Sequence, residues 1–275
     1  MKAIIVGCGY VGSAVARLWH HQGLGVTATT TTPVRISVLE AIADSVIQLQ
    51  GNDAEGFKTA LQGQNILLLS VGAQARTPEG YRLAYLETAQ TLAKILPDVP
   101  EVQQIIYTGS YALYGDQQGA IVDETTPVTP VNENGQILHQ TEQVLLGMMP
   151  ESPKVCILRL GGIYGPGREL LKIWGRAAGA TRAGDGSEPT NWVHLDDIVG
   201  AIEFVRQHQL SGIYNLVDDS QLTLRELTDN VYEQHNLPKI IWDTSKPSDR
   251  PYSVRVSNQK IRQAGYQFIH PQLLV

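Results

Sequence analysis

The chain has 275 residues, 43% of them hydrophobic and 17% charged, enough for one large α/β domain or one domain with a smaller lobe around a sizeable core. A formal net charge of -6 offers no electrostatic footprint for nucleic acid, so no nucleic-acid partner is expected. Two cysteines, Cys8 and Cys156, are too few for a disulfide framework, and no Cys/His cluster has zinc spacing, so no metal is expected. No apolar run reaches the length of a membrane span, and the first one, residues 3–6, lacks the long apolar region of a signal peptide; a cytoplasmic protein without a membrane partner is expected.

Taken in order, residues 3–6 read as a buried first strand. Val11, Val15, Leu18 and Trp19 form a helical stripe over residues 11–21 that stops near Gly23. Residues 26–30 give a second strand. Residues 66–70 and 104–108 read as later parallel strands with a long helix over 81–95 between them, and residues 155–160 add one more β-branched run. Residues 161–189 are rich in glycine and broken by proline, which predicts loop with one helix around 170–178. Leu195, Ile198, Val199, Ile202 and Val205 make a helical face whose first turn carries Asp196 and Asp197, where carboxylates favour the helix dipole. Residues 213–216 form a short strand, and Thr223 with Glu226 makes a capping box ahead of Leu227 and Val231.

The first strand runs directly into Gly7-Cys8-Gly9-Tyr10-Val11-Gly12, a G-x-G-x-x-G that opens the first helix. In that setting Gly7 permits the tight turn, Gly9 lets a diphosphate approach the backbone, and Gly12 lets helix pack on strand. The helix start, Tyr10 and Val11 included, offers N–H groups and partial positive charge to phosphates. The expected fold is therefore α/β, a doubly wound parallel Rossmann sheet with a small C-terminal lobe. Residues 1–160 are assigned to the dinucleotide domain, with 191–216 returning to it, and residues 161–190 and 217–275 to the lobe. Cys8 reads as a small filler within the loop. The second strand ends in Thr27-Ala28-Thr29-Thr30-Thr31-Thr32-Pro33 without the acid that holds ribose hydroxyls in NAD sites. Thr30, Thr31 and Arg35 offer donors to a 2′-phosphate, so the expected cofactor is NADP, with NAD as the other choice. A plain solvated arginine at a helix start is the competing reading of Arg35.

Several stretches resemble, in order, the extended short-chain dehydrogenase/reductase superfamily, in its NAD-dependent epimerase/dehydratase group. They are the Gly7–Gly12 loop, Val71-Gly72-Ala73 and Thr108 to Asp116, then Asp123-Glu124-Thr125-Thr126-Pro127. Leu158 to Arg168, Asn191 to Asp197 and Ile213-Tyr214-Asn215 complete them, so the resemblance covers nearly the whole chain. It implies that Val71, Gly72 and Ala73 line the cofactor. It also implies hydride transfer at a sugar or alcohol carbon, with a tyrosine as acid/base, a lysine four residues later and a Ser/Thr that orients the substrate. Ser110 falls on the Ser/Thr position; its local alternative is a strand-end hydroxyl satisfying backbone groups.

The Tyr-x-x-x-Lys dyad departs from the pattern. Placing Glu142 on the acid that follows the motif puts Asn134 at the tyrosine and Leu138 at the lysine; a shift of one residue brings Gly135 and His139. Asparagine has no proton to exchange near neutral pH, and leucine neither tunes a pKa nor binds ribose hydroxyls. The chain thus resembles the atypical members that keep the glycine loop and lose the dyad. Tyr111, Tyr114, Tyr164 and His139 are the substitute proton donors considered; Tyr111 and Tyr164 follow strands and are carried forward, with aromatic packing as the alternative for each. His194, Asp196 and Asp197 invite a metal or acid/base reading, but capping and dipole complementarity account for the aspartates. Gly162 permits close substrate approach, and Arg168 and Arg250 are candidate anion clamps.

Two functions follow. One is an oxidoreductase or epimerase acting on a polar small molecule, phosphorylated or nucleotide-linked, with a non-standard proton donor. The other is a non-catalytic NAD(P)-binding sensor or regulator. A homodimer through residues 81–95 and 137–148 is expected by analogy with relatives that pair helices.

Overall fold

The structure, a computed structural model, describes residues 1–148 and 153–274. It begins with β1 (Lys2–Val6), α1 (Tyr10–His21), β2 (Gly25–Thr30), α2 (Ile36–Leu39), β3 (Ser45–Gln48), α3 (Ala54–Leu61) and β4 (Ile66–Leu69). Next come α4 (Pro78–Tyr81), a π-helical turn (Arg82–Glu87), α5 (Thr88–Ile95), β5 (Gln104–Ser110), a 3-10 turn (Tyr111–Tyr114), β6 (Ile121–Val122) and α6 (Glu133–Leu146). The chain continues through β7 (Lys154–Leu160), β8 (Gly162–Tyr164), α7 (Leu170–Trp174), β9 (Thr181–Ala183), β10 (Trp192–His194) and α8 (Leu195–His208). It closes with β11 (Gly212–Leu216), α9 (Leu224–Gln234), β12 (Ile241–Asp243), β13 (Arg255–Val256) and α10 (Gln259–Gln263).

Seven strands form one sheet in the order β11-β7-β5-β4-β1-β2-β3, and the five from β5 to β3 pair in parallel. The apolar runs dictate this arrangement. Ala3, Ile4 and Ile5 in β1 and Leu67, Leu68 and Leu69 in β4 are fully buried, as central parallel strands covered on both faces must be. The chain leaves β1 for β2 and β3 on one side, then crosses back to β4 and β5 on the other. The loops after β1 and β4 therefore diverge and open a crevice at the strand ends, where doubly wound sheets take their ligands.

Contacts divide the chain into two compact units. The first comprises Met1–Ser110, Asn132–Arg159 and Val199–Tyr214; the second comprises Tyr111–Val131, Leu160–Ile198 and Asn215–Val275. The sequence reading gave residues 111–131 and 191–198 to the dinucleotide domain, whereas this division places them in the second unit. Within the first, Phe57, Leu61, Leu92, Ile105, Tyr107 and Ile157 belong to one continuous core. Trp19, fully buried, donates its indole N–H to Glu203 at 2.9 Å, and Arg206 and Gln207 satisfy the rest of that carboxylate.

The expected helix over 81–95 begins earlier, because Thr77 caps it by accepting the Gly80 N–H at 3.2 Å and Pro78 takes its first turn. It also widens into the π turn before α5 resumes. Residues 161–189 are more regular than expected: β8 pairs with β10 and β9 with β12, both in parallel, within the second unit. The Thr223–Glu226 capping box is present, with Thr223 Oγ1 accepting the Glu226 N–H and Glu226 accepting the Thr223 N–H. Among the described residues no helix is long and apolar enough to cross a membrane.

Candidate functional site

A cleft of about 710 Å³ lies in the first unit and is lined from the ends of β1, β2 and β4 and from the α4 segment. It gathers Gly7, Gly9, Thr30, Thr31, Arg35, Val71 and Gly72, seven of the residues singled out in the sequence. Tyr10, Val11 and Gly12 form the first turn of α1 directly behind Gly9. Ala73 follows Gly72 in the loop after β4.

The glycine loop is held by its own hydrogen bonds. Gly7 has φ +83°, and a Cβ there would lie 2.7 Å from the Ser70 carbonyl oxygen, so only glycine fits the turn. The Cys8 N–H donates to the Thr29 carbonyl at 3.0 Å, and the Gly9 N–H to the Gly7 carbonyl at 2.7 Å. No side chain caps α1 at Gly9, which leaves its N-terminal turn open to an anion. Above Gly9 there is room, since an added Cβ would have no neighbour nearer than 4.0 Å. Cys8 is buried, and burial pushes its thiol pKa up, which suits a filler rather than a nucleophile.

At the end of β2 the wall is all hydroxyl and cation. Arg35 Nη2 donates to Ser13 Oγ at 3.2 Å, which draws the guanidinium back over the start of α1. Gln74 Nε2 donates to Thr31 Oγ1 at 3.2 Å, tying the β4 loop to the β2 loop. Glu79 is the one carboxylate in the lining, and it comes from α4 rather than from β2.

Sequence reasoning missed the far wall of the cleft, formed by Leu49, Gln50, Gly51, Phe57 and Thr88. A Cβ on Gly51 would collide with Thr88 Oγ1, so the loop after β3 packs tightly on the π turn and α5. The available signal was Gly51 two residues ahead of Asp53, which caps α3 by accepting the Gly56 N–H at 2.9 Å. Tyr81 and Tyr85, with ring centroids 5.2 Å apart, were also passed over.

Ser110 is the last residue of β5 in the first unit. Asn134, at the tyrosine position, lies in the first turn of α6 and donates its amide to the Arg76 carbonyl at 3.2 Å; its Oδ1 is buried without a partner. Leu138, which the sequence alignment sets at the lysine position, is buried one turn later. Beneath them Glu142 and Arg159 form a buried ion pair, with Arg159 Nη2 2.7 Å from Glu142 Oε2. Burial raises the Glu142 pKa, and the guanidinium opposes that rise. His139 is half-buried rather than a surface residue, and its Nε2 lies 3.4 Å from Gln143 Nε2.

Tyr111, Tyr164, Gly162, Arg168 and Arg250 all belong to the second unit. Tyr111 is buried edge-on against Tyr252, with centroids 5.7 Å apart, and burial pushes its pKa well up. Tyr164 is 2% exposed, its hydroxyl accepts the Leu274 N–H at 3.2 Å, and burial pushes its pKa up to about 12. Both rings pack as core residues do. Gly162 lies under the Trp192 ring, which a Cβ would approach to 2.8 Å. Arg250 Nη1 donates to the Pro189 carbonyl at 3.1 Å, with its guanidinium 5.8 Å from the centre of the Tyr252 ring. Arg168 is exposed on a tight turn, its N–H donating to the Gly165 carbonyl at 2.8 Å.

Residues 3–216 match the NAD dependent epimerase/dehydratase family. The chain is 34% identical over 224 residues to Protein YeeZ of Escherichia coli strain K12, covering 78% of this chain and 77% of that one. Among solved structures, UDP-glucose 4-epimerase of Thermotoga maritima with UDP-glucose superposes with a TM-score of 0.79 at 19% identity, over 96% and 92% of the two chains. MoeE5 in complex with UDP-glucose and NAD gives a TM-score of 0.78 at 18% identity, over 96% and 91%. Likenesses at that identity establish the fold alone. The family match and the relative at 34% identity go further: the chain belongs to the NAD-dependent epimerase/dehydratase family.

Proposed function

We propose that the protein binds NADP(H) in preference to NAD(H) and acts as an oxidoreductase or epimerase on a polar, nucleotide-linked small molecule, with a proton donor other than the family's tyrosine. The observation that carries the cofactor choice is the end of β2, where Thr30, Thr31 and Arg35 line the cleft and no carboxylate is supplied. A 2′-phosphate gains a cation and hydroxyl donors there, whereas the ribose hydroxyls of NAD lack their usual acid. The substrate class rests on family membership and on the likeness to MoeE5, which is seen with UDP-glucose and NAD.

When bound, the nicotinamide supplies a hydride donor or acceptor. The chain supplies the rest. The open turn of α1 holds the diphosphate, Val71, Gly72 and Ala73 wall the cofactor, and the Ser110 hydroxyl polarises the substrate oxygen. Gly162, Arg168 and Arg250 remain the substrate-side candidates, with the arginines pairing with phosphate oxygens. Tyr111 and Tyr164 are weak acids in their buried places, so a water or another hydroxyl near Ser110 delivers the proton. We place the protein in the cytoplasm, as a homodimer through the helices at 81–95 and 137–148.

Titration with NADPH and NADH tests the cofactor choice; tighter NADH binding would sink it. Turnover of NADPH against aldehydes, ketones and nucleotide sugars, with Ser110→Ala as control, tests the chemistry. Activity on at least one nucleotide sugar, lowered at least tenfold by the substitution, is expected. Tight cofactor binding with no turnover anywhere on the panel would return the case to a regulator.

A further inference from the structure

The second unit carries a side-chain cluster that the chemistry above does not use. His194 ends β10, Asp196 lies in the first turn of α8, and His270 comes from the C-terminal segment. One ligand atom from each, His194 Nδ1, Asp196 Oδ2 and His270 Nε2, falls within 4.8 Å of the others. We propose that His194, Asp196 and His270 bind one divalent transition-metal ion of the zinc class, which fastens the C-terminal segment to the head of α8.

The distances fit that chemistry. Zinc bonds of 2.0–2.1 Å in a tetrahedron place donor atoms about 3.3 Å apart. Asp196 Oδ2 lies 3.5 Å from His194 Nδ1 and 3.3 Å from His270 Nε2, so two edges of the tetrahedron are already set. The third separation, between the two imidazoles, is at most 4.8 Å, and closing it requires the partly exposed His270 ring to turn. Two imidazoles with one carboxylate suit zinc and its neighbours, whereas magnesium and calcium favour all-oxygen sets. The half-exposed Asp196 side leaves the fourth position to water.

The donors are also prepared for a cation. The Asp196 N–H donates to His194 Nδ1 at 3.2 Å, so that nitrogen is the unprotonated one, and its lone pair is spent on the Asp196 amide until a metal displaces it. An N–H in the first turn of a helix has no intrahelical partner, and releasing it to solvent when the metal arrives costs little. His270 is held in place by its own backbone. Asp197 Oδ2 accepts the His270 N–H at 3.0 Å, Asp197 Oδ1 accepts the Ile269 N–H at 2.6 Å, and the Tyr266 hydroxyl donates to the Asp197 carbonyl at 2.8 Å. Two ligands therefore come from one β10–α8 junction, and the third is delivered by a segment moored to the residue next to them. The sequence gives no zinc spacing because His270 lies 74 positions from Asp196.

The test uses the full chain, stripped with EDTA and titrated with Zn²⁺ against a chromogenic chelator. One equivalent is expected to bind with micromolar or tighter affinity, and Zn²⁺ at 100-fold over Kd should raise Tm by about 5 °C. Asp196→Asn and His270→Gln change solvent-reached side chains and should each weaken binding at least tenfold and cut the Tm shift by about half or more. His21→Gln, an exposed histidine of the other unit, should change neither. Co²⁺ in place of Zn²⁺ should give a visible spectrum of tetrahedral type that both cluster variants lose. Binding that survives unchanged in His270→Gln, or no stoichiometric binding in the wild type, overturns the proposal.

Discussion

A methyl group added at Gly9 and one added at Gly12 meet different neighbours, and the difference separates folding from cofactor binding. At Gly12 the new Cβ would sit 2.7 Å from the Gly7 carbonyl oxygen and 3.1 Å from Ile5 Cγ2. The first is a backbone atom of the turn itself, so relief requires α1 to move off β1. Overpacking of that kind costs about 1–3 kcal/mol, which corresponds to a fall in Tm of roughly 2–5 °C for a chain of this size. At Gly9 the nearest atom would be 4.0 Å away, so Gly9→Ala should leave Tm within about 2 °C of wild type. The space that the Gly9 methyl enters is where a diphosphate must approach the backbone. A loss of at least about 100-fold in NADPH affinity is expected, equivalent to about 2.7 kcal/mol. Thermal melting and calorimetric titration of the two variants, side by side, read both quantities. The reasoning fails if Gly9→Ala binds NADPH as the wild type does, or if Gly12→Ala melts at the wild-type temperature.

Arg35→Ala should lower NADPH affinity by about 10- to 100-fold while changing NADH by less than threefold, since one charge-assisted pair to phosphate is lost; equal losses for both would show that Arg35 acts through Ser13 and the loop. Glu142→Gln strips the buried Arg159 of its counter-charge and should cost about 3–5 kcal/mol in urea unfolding; a cost below about 1 kcal/mol would mean the pair is solvated. Asp218 is 7% exposed, and burial pushes its pKa up to about 7, with Oδ2 left unpartnered. In the unfolded chain the group titrates near 3.9, so between about pH 4 and 7 the unfolded state sheds a proton that the folded state keeps. Its contribution is complete below about pH 4 and is lost as pH rises through 7, by up to about 4 kcal/mol. Asp218→Asn should flatten that part of the pH–stability curve; an unchanged slope would count against it.

What the sequence disclosed follows from what is local. The glycine loop, β1, α1 and the Thr223–Glu226 box are each specified within a dozen residues, through turn geometry, helical periodicity and capping, and the structure contains them where the residues place them. The pairs β6–β13 and β9–β12 were not legible, because each strand has only two or three residues and its partner lies far along the chain. The π turn was hidden for a different reason. Residues 81–95 keep a helical stripe through it, and only the packing of Gly51 against Thr88 reveals the altered pitch. On the candidate site, the phosphate side was readable from Gly7, Gly9 and Arg35, while Gln50 and Thr88 carry no motif of their own and join the cleft only by folding.

The two α6 positions that the sequence alignment sets against the dyad, Asn134 and Leu138, are engaged in packing and a backbone hydrogen bond. Asn134 uses its amide to hold the Arg76 carbonyl, which ties α6 to the segment between β4 and α4, and Leu138 is buried where a lysine would need a solvated or paired ammonium. Restoring a tyrosine at 134 would break that tie, and a lysine at 138 would bury a charge. Position by position, the α6 face has been settled as structure. The phenols advanced from the sequence sit among aromatic and backbone partners that raise their pKa values, which removes the driving force for proton transfer near neutral pH. Ser110, the last residue of β5, is the hydroxyl of the matching motif that the proposed function assigns to the substrate. A serine hydroxyl can orient an oxygen and relay a proton to water without itself ionising. On the proposed function Ser110 positions the substrate oxygen beside the bound nicotinamide and solvent closes the proton balance, so a Ser110→Ala variant that turns over as the wild type does would refute it.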